Sequence, residues 1–336
     1  MAGTASKPTL VSLARELGVS RQTVSNALNA PEVVKPETRE RVLTAIRESG
    51  YRPSAMGRAL RTRRSMNLAY RLYPATDGVN GAVMDRFLHN LVAQARLRGY
   101  RVTLFDSPSY GEEVEALLEQ YQAGLIDACV LTDSHVGDLR PRRLREAALP
   151  TVVFGRPWSD PESPQPWLDI DGSVGCEAAV HHLRAQGHTR IGFLGWPEGS
   201  GVGDDRCAGW QRGMAGLSLS GLRVGIEDDV RQGVEATDRL LTAGATAIVC
   251  ASDSLALAAV SRLFSDGRPT GNVIGFDDTP VARALGISSV AQPVEQAAAT
   301  LVTMTVDQLD GRVLPDRRVL LPSRLVIRNP AGLIAP

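Results

Sequence analysis

The sequence predicts a small all-α unit at the N-terminus, followed by an α/β core of two doubly wound parallel-sheet lobes. Three observations predict this fold class. Two short amphipathic helices separated by a glycine occupy residues 9–29, strands and helices alternate from Met66 onward, and positive charge is concentrated before Met66. The chain has 336 residues and is longer than one domain usually is. We therefore expect separately folded units with different tasks.

The composition is typical of a soluble globular protein, with 43% hydrophobic and 22% charged residues. No apolar run approaches the length of a membrane span, and the N-terminus lacks the pattern of a secretory signal. The four cysteines are far apart in the sequence, without the spacing of a metal site or a disulfide framework. We expect a cytoplasmic, nucleoid-associated protein with reduced thiols, no metal, no cofactor and no membrane partner.

The first helix of the N-terminal unit has its apolar residues on one face, namely Leu10, Leu13, Ala14 and Leu17. Gly18 is expected to end this helix, because glycine enters the left-handed conformation of a helix C-cap at little cost. Ser20 follows within two residues and can cap a second helix through its hydroxyl. The spacing therefore predicts two helices with a tight turn between them.

The second helix directs Val24, Ala27 and Leu28 inward. Its outward face carries only hydrogen-bonding side chains, namely Arg21, Gln22, Thr23, Ser25, Asn26 and Asn29. Side chains of Arg, Gln and Asn can each pair with a base edge through two hydrogen bonds. The pattern predicts a helix-turn-helix whose second helix enters the DNA major groove. The alternative is an ordinary amphipathic helix pair packed on a larger domain.

Charge is divided unevenly along the chain. Twelve basic and five acidic residues precede Met66, which gives this part about +7 and the remainder about −7, because the whole chain has a net charge of +0. A basic unit on an acidic body favours contact with a polyanion. A basic face that only contacts solvent is the alternative, but the basic residues coincide with the helix pair.

A third helix is predicted from Pro36 to Ser49, and Gly50 ends it. The segment 51–53 leaves this helix in an extended conformation, because residues before a proline avoid the helical region. The next segment, 54–61, is about two turns long and is too short to form a stable helix alone. It needs a partner, such as its copy in a second subunit on a DNA surface, or it is a plain linker that favours helix.

From Met66 the pattern changes to strands that alternate with helices. The expected strands are 67–73, 101–105, 126–131, 151–154, 190–194, 246–250 and 272–276. The expected helices are 79–98, 112–123, 172–186, 204–218, 235–243, 253–266 and 294–310. This alternation predicts parallel sheets covered by helices on both faces, and the strands are numerous enough for two sheets.

The chain is expected to pass between two lobes more than once. The proline-rich stretch 157–166 is the predicted first crossing, and Gln292–Pro293 is the second. The predicted first lobe comprises residues 66–165 and 293–318, and the second lobe comprises residues 166–292 and 319–330. Two doubly wound lobes joined in this way place a ligand cleft between them, at the carboxyl ends of the strands.

Six segments carry a resemblance to a known family. They are VSRQTVSNALN (19–29), YRPSAMGRALRTRRS (51–65), HLRAQGHTRIGFLG (182–195), DDRCAGW (204–210), SDSLALAAV (252–260) and VIGFDDTP (273–280). In order and spacing they resemble the lactose/galactose repressor (LacI/GalR) family of bacterial transcription regulators over nearly the whole chain. The resemblance implies a DNA-binding headpiece (1–53), a hinge helix and linker (54–65), and a sugar-binding core like that of periplasmic binding proteins. It also implies a homodimer, sometimes a tetramer, on pseudo-palindromic double-stranded DNA, and we expect a dimer because the sequence shows no long C-terminal heptad segment for tetramer formation.

The resemblance implies particular contacts with DNA. It places Arg21, Gln22 and Asn26 at base-reading positions of the recognition helix. It implies phosphate contacts, which fix register without reading sequence, for Thr9, Ser20, Thr23, Ser25 and Asn29. In the hinge, Ala55 and Arg58 correspond to groove-facing positions, and Leu60 corresponds to a residue that wedges between base pairs and kinks the duplex. The alternative for Leu60 is the apolar side of a paired hinge helix.

The resemblance also implies an effector site in the cleft. It places Arg156, Arg206, Ser252, Asp277 and Gln292 around the ligand, although the commonest family residue at position 252 is asparagine. Arginine forks and carboxylates make paired hydrogen bonds to vicinal hydroxyls, which suits a sugar. Trp196, with Trp158 and Tyr73 as further candidates, could stack on a sugar face or simply pack. Asp253 is expected at the site, either on the ligand or as a helix cap behind it.

The sequence therefore predicts a repressor of carbohydrate-use genes that a small sugar controls. The sugar can release DNA only if it binds the non-DNA conformation more tightly. The alternative is a purine- or sugar-phosphate-responsive co-repressed regulator of the same fold. An enzyme is not expected, since the glycine-rich run 195–203 lacks the spacing of a nucleotide loop and no catalytic set is evident. A transport binding protein is less well supported because of the basic headpiece.

Overall fold

The computed structural model describes residues 8–51, 64–73 and 81–328. The chain divides into two compact units, Met1–Ser65 and Met66–Pro336. The predicted hinge helix, with Ala55, Arg58 and Leu60, lies outside the described residues.

The N-terminal unit is a helix-turn-helix followed by a third helix. Helix α1 spans Leu10–Leu17, α2 spans Arg21–Asn29, a 3-10 turn spans Pro31–Val33, and α3 spans Pro36–Ser49. Gly18 ends α1 with a φ of 66°, and the Ser20 hydroxyl accepts the Thr23 backbone N–H at 3.0 Å to begin α2. Leu13, Val24 and Val42, one from each α-helix, are buried at the centre. The predicted helix-turn-helix is confirmed.

The first lobe of the larger unit contains a six-stranded parallel sheet. Its strands are β1 Asn67–Leu72, β2 Arg101–Asp106, β3 Ala128–Leu131, β4 Thr151–Phe154, β5 Trp167–Asp171 and β11 Arg318–Pro322. They lie in the order β11-β5-β4-β3-β1-β2. The helices of this lobe are α4 Gly81–Leu97, α5 Tyr110–Gln122, α6 Arg140–Glu146 and α12 Val294–Leu309. Neighbouring residues of β1 enter different cores, Leu68 with α4 and α12 and Ala69 with α5, so helices pack on both faces.

The second lobe repeats this arrangement. Its strands are β6 Ile191–Gly195, β7 Arg223–Gly225, β8 Ala247–Cys250, β9 Val273–Asp277, β10 Ser288–Ala291 and β12 Arg324–Val326, in the order β12-β10-β9-β8-β6-β7. Its helices are α7 Gly172–Ala185, α8 Val202–Gly213, α9 Val230–Thr242, α10 Asp253–Ser265 and α11 Pro280–Ala284. Strand β12 pairs antiparallel with β10, and the other pairs are parallel. The predicted two-lobed α/β core is confirmed.

The predicted first crossing at 157–166 is wrong. Strand β5 follows this stretch and pairs in parallel with β4 and β11, so the proline-rich stretch is a loop within the first lobe. The chain crosses where β5 ends at Asp171 and α7 begins, again at Gln292–Pro293 as predicted, and a third time at Ser323 between β11 and β12. Residues 166–171 and 319–322 therefore belong to the first lobe. Prolines break a strand whether the chain then changes lobe or returns, so composition alone could not separate the two cases.

Short elements were missing from the sequence prediction. They are α6, α11, β5, β7, β10, β11 and β12. Helix α6 contains four arginines in seven residues and shows no apolar stripe, and β7 has three residues. Patterns this short carry no measurable periodicity.

Among the described residues, no helix combines the length and the apolar character that a membrane span requires.

Close packing of α7 against α8 depends on glycine. A Cβ added at Gly209 would lie 2.0 Å from the backbone oxygen of Ser173. We expect Gly209→Ala to lower the free energy of unfolding by about 3 kcal/mol, because the backbone of α7 must move. Gly111→Ala in α5 is the matched control, since its Cβ would meet only Ser109 Oγ at 3.9 Å. Urea denaturation measures both variants, and a Gly209→Ala midpoint equal to that of Gly111→Ala would contradict the packing.

Candidate functional site

A cavity of about 400 Å³ lies between the two lobes, at the carboxyl ends of their parallel strands. The first lobe contributes Val83, Met84, Asp133, Ser134, His135, Phe154, Gly155, Trp158, Asp169 and Ile170. The second lobe contributes Gly172, Trp196, Ser200, Val202, Asp205, Arg206, Phe276 and Asp277, and Gln292 comes from the second crossing. The cavity lies where a doubly wound fold places its ligands.

Asp277, Arg206 and Gln292 meet on one wall of the cavity. Asp277 ends β9, and Gln292 donates to its Oδ1 at 2.5 Å, while Arg206 Nη2 lies 3.7 Å from the same oxygen. Arg206 is 5% exposed; its guanidinium lies 3.7 Å from the ring centroid of Phe276 and 5.0 Å from that of Trp196. Burial raises the pKa of Asp277 to about 7, although Arg206 acts in the opposite direction. Four of the predicted effector residues thus meet at this wall.

Arg156 bridges the lobes beside the cavity instead of lining it. Its Nε donates to Asp169 in the first lobe at 2.7 Å, and its terminal nitrogens donate to Asp205 in the second lobe at 3.3 Å. Burial raises the pKa of both carboxyls, and Arg156 acts in the opposite direction on both. The two partners of Arg156 line the cavity. Arg156 therefore holds the carboxyl groups of Asp169 and Asp205 in place in the cavity wall.

Three other predicted effector residues contact protein groups and do not line the cavity. Ser252 caps α10 and donates to Asp228 at 2.5 Å. Asp253 is 1% exposed and accepts the backbone N–H of Thr279 at 2.7 Å, so it lies behind the cavity wall, although Ser252 and not Asp253 caps α10. Tyr73 donates its hydroxyl to the Thr132 backbone oxygen at 3.0 Å. Its hydroxyl is therefore engaged within the first lobe.

Six polar residues that line the cavity were not predicted from the sequence, namely Asp133, Ser134, His135, Asp169, Ser200 and Asp205. Asp133 and His135 follow β3 within four residues of its end. Ligands in this type of fold meet the carboxyl ends of parallel strands, and a search for polar residues at those ends would have found them. Asp169 belongs to β5, and without that strand no pattern marked it.

A buried charge network holds the loop that carries Asp133 and His135. Glu113 is 1% exposed and accepts from Arg71 at 2.9 Å and from Arg140 at 2.8 Å. Arg140 also donates to the backbone oxygen of Asp133 at 2.8 Å. Paired buried charges of this kind lose several kcal/mol when one partner is removed. The network therefore fixes this part of the cavity wall.

The second helix of the N-terminal unit presents the face that the sequence predicts. Arg21, Gln22 and Asn29 are exposed, and Val24 and Ala27 are buried. Gln22 donates to the Asn26 side chain at 2.8 Å, which holds two predicted base-reading amides side by side. Of the other predicted contacts, Thr9 and Ser20 are exposed caps of α1 and α2, and Thr23 and Ser25 are half-buried.

Comparison with known proteins gives consistent matches. Residues 9–54 match the family model described as bacterial regulatory proteins, lacI family, and residues 180–329 match a periplasmic binding protein-like domain. The HTH-type transcriptional regulator CelR of Thermobifida fusca is 31% identical, over 96% of this chain and 98% of the relative. A solved transcriptional regulator CelR–cellobiose complex is 30% identical, with a TM-score of 0.70 over 96% of this chain and 99% of that one.

A more distant match supports the fold alone. The lac repressor dimer bound to operator and the anti-inducer ONPF is 23% identical, with a TM-score of 0.79 over 96% of this chain and 98% of that chain. A helix-turn-helix and a two-lobed core with a central cavity define a DNA-binding transcription regulator. This chain belongs to the LacI family of bacterial regulatory proteins.

Proposed function

We propose that this protein is a homodimeric repressor of carbohydrate-use genes and that a neutral sugar in the interlobe cavity releases it from a pseudo-palindromic operator. The observation that carries the proposal is the cavity wall formed by Asp277, Arg206 and Gln292 beside two aromatic rings. Carboxylate, guanidinium and amide groups pair with vicinal hydroxyls, and aromatic faces stack on the apolar face of a sugar ring.

The charge of the cavity favours a neutral sugar over a phosphorylated one. Four carboxyl groups line it, those of Asp133, Asp169, Asp205 and Asp277, and they outnumber the guanidinium of Arg206 in the wall and that of Arg156, which pairs with Asp169 and Asp205 beside the cavity. A phosphate in this cavity would meet like charges at close range, which costs several kcal/mol. The volume of about 400 Å³ falls within the usual range of small-molecule sites, and we propose a ligand of disaccharide size.

Polar atoms without partners also support a hydroxyl-rich ligand. Within the described part of the chain, Ser200 Oγ and Arg206 Nε are buried without a hydrogen-bond partner, and both residues line the cavity. A buried polar group without a partner costs about 1–3 kcal/mol. A sugar hydroxyl that reaches these atoms would remove this cost, whereas an apolar ligand would not.

A ligand panel tests the proposed effector. The full-length protein is titrated by calorimetry with cellobiose, maltose, glucose 6-phosphate and hypoxanthine. We expect a neutral disaccharide to bind at least about tenfold more tightly than the phosphorylated sugar or the purine. Tightest binding of glucose 6-phosphate or hypoxanthine would instead support the co-repressed alternative.

Operator release tests the sign of the regulation. A labelled pseudo-palindromic duplex, selected from a random library with the full-length protein, is followed by fluorescence anisotropy while the binding sugar is added. We expect the sugar to release the duplex, because it binds more tightly to the conformation that does not bind DNA. A sugar that strengthens duplex binding would show co-repression, and one without any effect would overturn the proposed regulation.

Sugar binding should depend on pH through Asp277. Burial raises the pKa of this carboxyl to about 7, so the free protein holds a proton there at lower pH. Sugar hydroxyls donate to the ionised form, and we expect sugar affinity to rise between about pH 6 and pH 8. Calorimetry with the binding sugar measures this, and Asp277→Asn is the control that should show no such rise.

The raised pKa of Asp277 also makes the stability of the fold depend on pH, and this part of the stability falls as the pH rises. A raised carboxyl pKa contributes stability that is complete below the ordinary value of 3.8 and is lost as the pH rises through about 7. This contribution is lost between pH 3.8 and about 7, whereas sugar affinity rises mainly between about pH 6 and pH 8, so the two change in opposite directions only where these ranges overlap. Equal sugar affinities of the unmodified protein at about pH 6 and pH 8 would contradict the assignment to Asp277.

A further inference from the structure

The glycines of the run 195–203 in the second lobe have no role in the function proposed above. The run begins at the end of β6 and leads into α8, and its spacing is not that of a nucleotide loop. Ser200 and Val202 of this run line the cavity, so the run forms part of the cavity wall. The presence of glycines at this part of the wall therefore requires a structural explanation.

Gly201 is the point where the first lobe meets this run. A Cβ added at Gly201 would lie 2.8 Å from Trp158 Nε1 and 2.9 Å from two further atoms of the indole. Trp158 belongs to the loop after β4 in the first lobe and also lines the cavity. Only glycine lets the indole lie directly against the backbone here. The contact thus joins the two lobes at the cavity wall.

A second contact between the lobes lies next to the first. The Arg156 guanidinium lies 4.7 Å from the centroid of the Trp158 ring, and the same guanidinium donates to Asp205 in the second lobe at 3.3 Å. Opening the lobes on this side must separate both the indole from Gly201 and Arg156 from Asp205. The two lobes are therefore held together on this side by an apolar contact, that of the indole with Gly201, and by a polar contact, the ion pair of Arg156 with Asp205.

We propose that Trp158 and Gly201 form a latch that holds the lobes closed over the cavity and slows release of the effector. The contact itself is independent of the ligand, whereas its role in holding the ligand rests on the proposed function. Loss of an aromatic contact of this kind should raise the dissociation rate of the ligand about tenfold.

The first experiment tests the contact without any ligand. The full-length protein is labelled with 5-fluorotryptophan, and Trp158→Phe assigns the ¹⁹F resonance of Trp158. Gly201→Ala should shift this resonance, because the new Cβ displaces the indole. Gly199→Ala is the matched control: its φ of +89° resembles the +66° of Gly201 in strain, but its Cβ would meet nothing within 4 Å. Identical Trp158 resonances in the two variants would overturn the contact, whether or not a sugar binds.

The second experiment tests the role of the contact in holding the ligand. Stopped-flow dissociation of cellobiose should be about tenfold faster for Gly201→Ala than for Gly199→Ala. In a Trp158→Ala background the two glycine variants should release cellobiose at the same rate, because no indole remains to be displaced. Equal cellobiose dissociation rates for Gly201→Ala and Gly199→Ala in the protein that retains Trp158 would overturn the latch. If the unmodified protein binds no sugar of the panel, the proposal of a sugar effector is wrong. The ¹⁹F experiment then still tests whether Trp158 contacts Gly201.

Discussion

Asp277→Asn is expected to weaken sugar binding about a hundredfold and to leave operator binding unchanged. The carboxylate at the end of β9 lies 3.7 Å from the Arg206 guanidinium on the cavity wall. Asparagine keeps the shape and can still accept from Gln292, so the wall should stay in place. What it removes is the charge that strengthens hydrogen bonds from sugar hydroxyls. The variant should therefore repress normally but fail to release the operator at sugar concentrations that release the unmodified protein.

Asp278→Asn is the matched control for this prediction. Asp278 is 5% exposed, pairs with Arg283 at 2.8 Å and with Arg328 at 2.5 Å, and is not among the residues that line the cavity. Its substitution should lower the unfolding midpoint, because two cations lose a buried partner, yet sugar affinity should change less than twofold. Calorimetry and thermal unfolding measure the two quantities separately. Equal loss of sugar affinity in both variants would show a general effect of destabilisation and would contradict the role of Asp277.

The sequence predicted best where the pattern is long and its physical cause is local. The outward face of α2 could be predicted from helical spacing alone, because Val24 and Ala27 have to be buried for the helix to pack. The resemblance placed Asp277 at the ligand, and its position at the end of a parallel strand agrees with the rule that ligands meet the carboxyl ends of such strands. In both cases the position of a side chain depends on its own element and not on a distant partner.

The sequence could not predict the protein partners of polar residues near the cavity. Arg156 was expected on the ligand, but it pairs with Asp169 and Asp205, and these acids line the cavity. Ser252 was expected at the ligand and instead caps α10, and Asp253, for which the sequence left a position behind the ligand open, accepts from Thr279. Which oxygen an arginine or a hydroxyl reaches depends on the register of two sheets, and no spacing within one segment carries that information.

Removal of residues 1–65 is expected to abolish operator binding. Residues 1–65 carry the excess positive charge of about +7 and the whole predicted recognition face, whereas the remainder carries about −7. Without phosphate contacts, affinity for DNA should fall by more than about a thousandfold. The larger unit has its own cores, and β1 begins only at Asn67, so a chain that starts at Met66 should fold and bind sugar as before. Anisotropy with the labelled duplex and calorimetry with the sugar measure the two outcomes.

A pair of point variants in the full chain distinguishes base recognition from the sequence-independent attraction of positive charge to DNA phosphates. Arg21→Ala and Arg39→Ala each remove one exposed cation from the headpiece, the first from α2 and the second from α3. If α2 lies in the major groove, Arg21→Ala should cost about 1–3 kcal/mol on the selected duplex and much less on a random one. Arg39→Ala should affect both duplexes equally. A truncated protein that still binds the duplex, or an Arg21→Ala variant whose losses on the two duplexes are equal, would place sequence recognition outside α2.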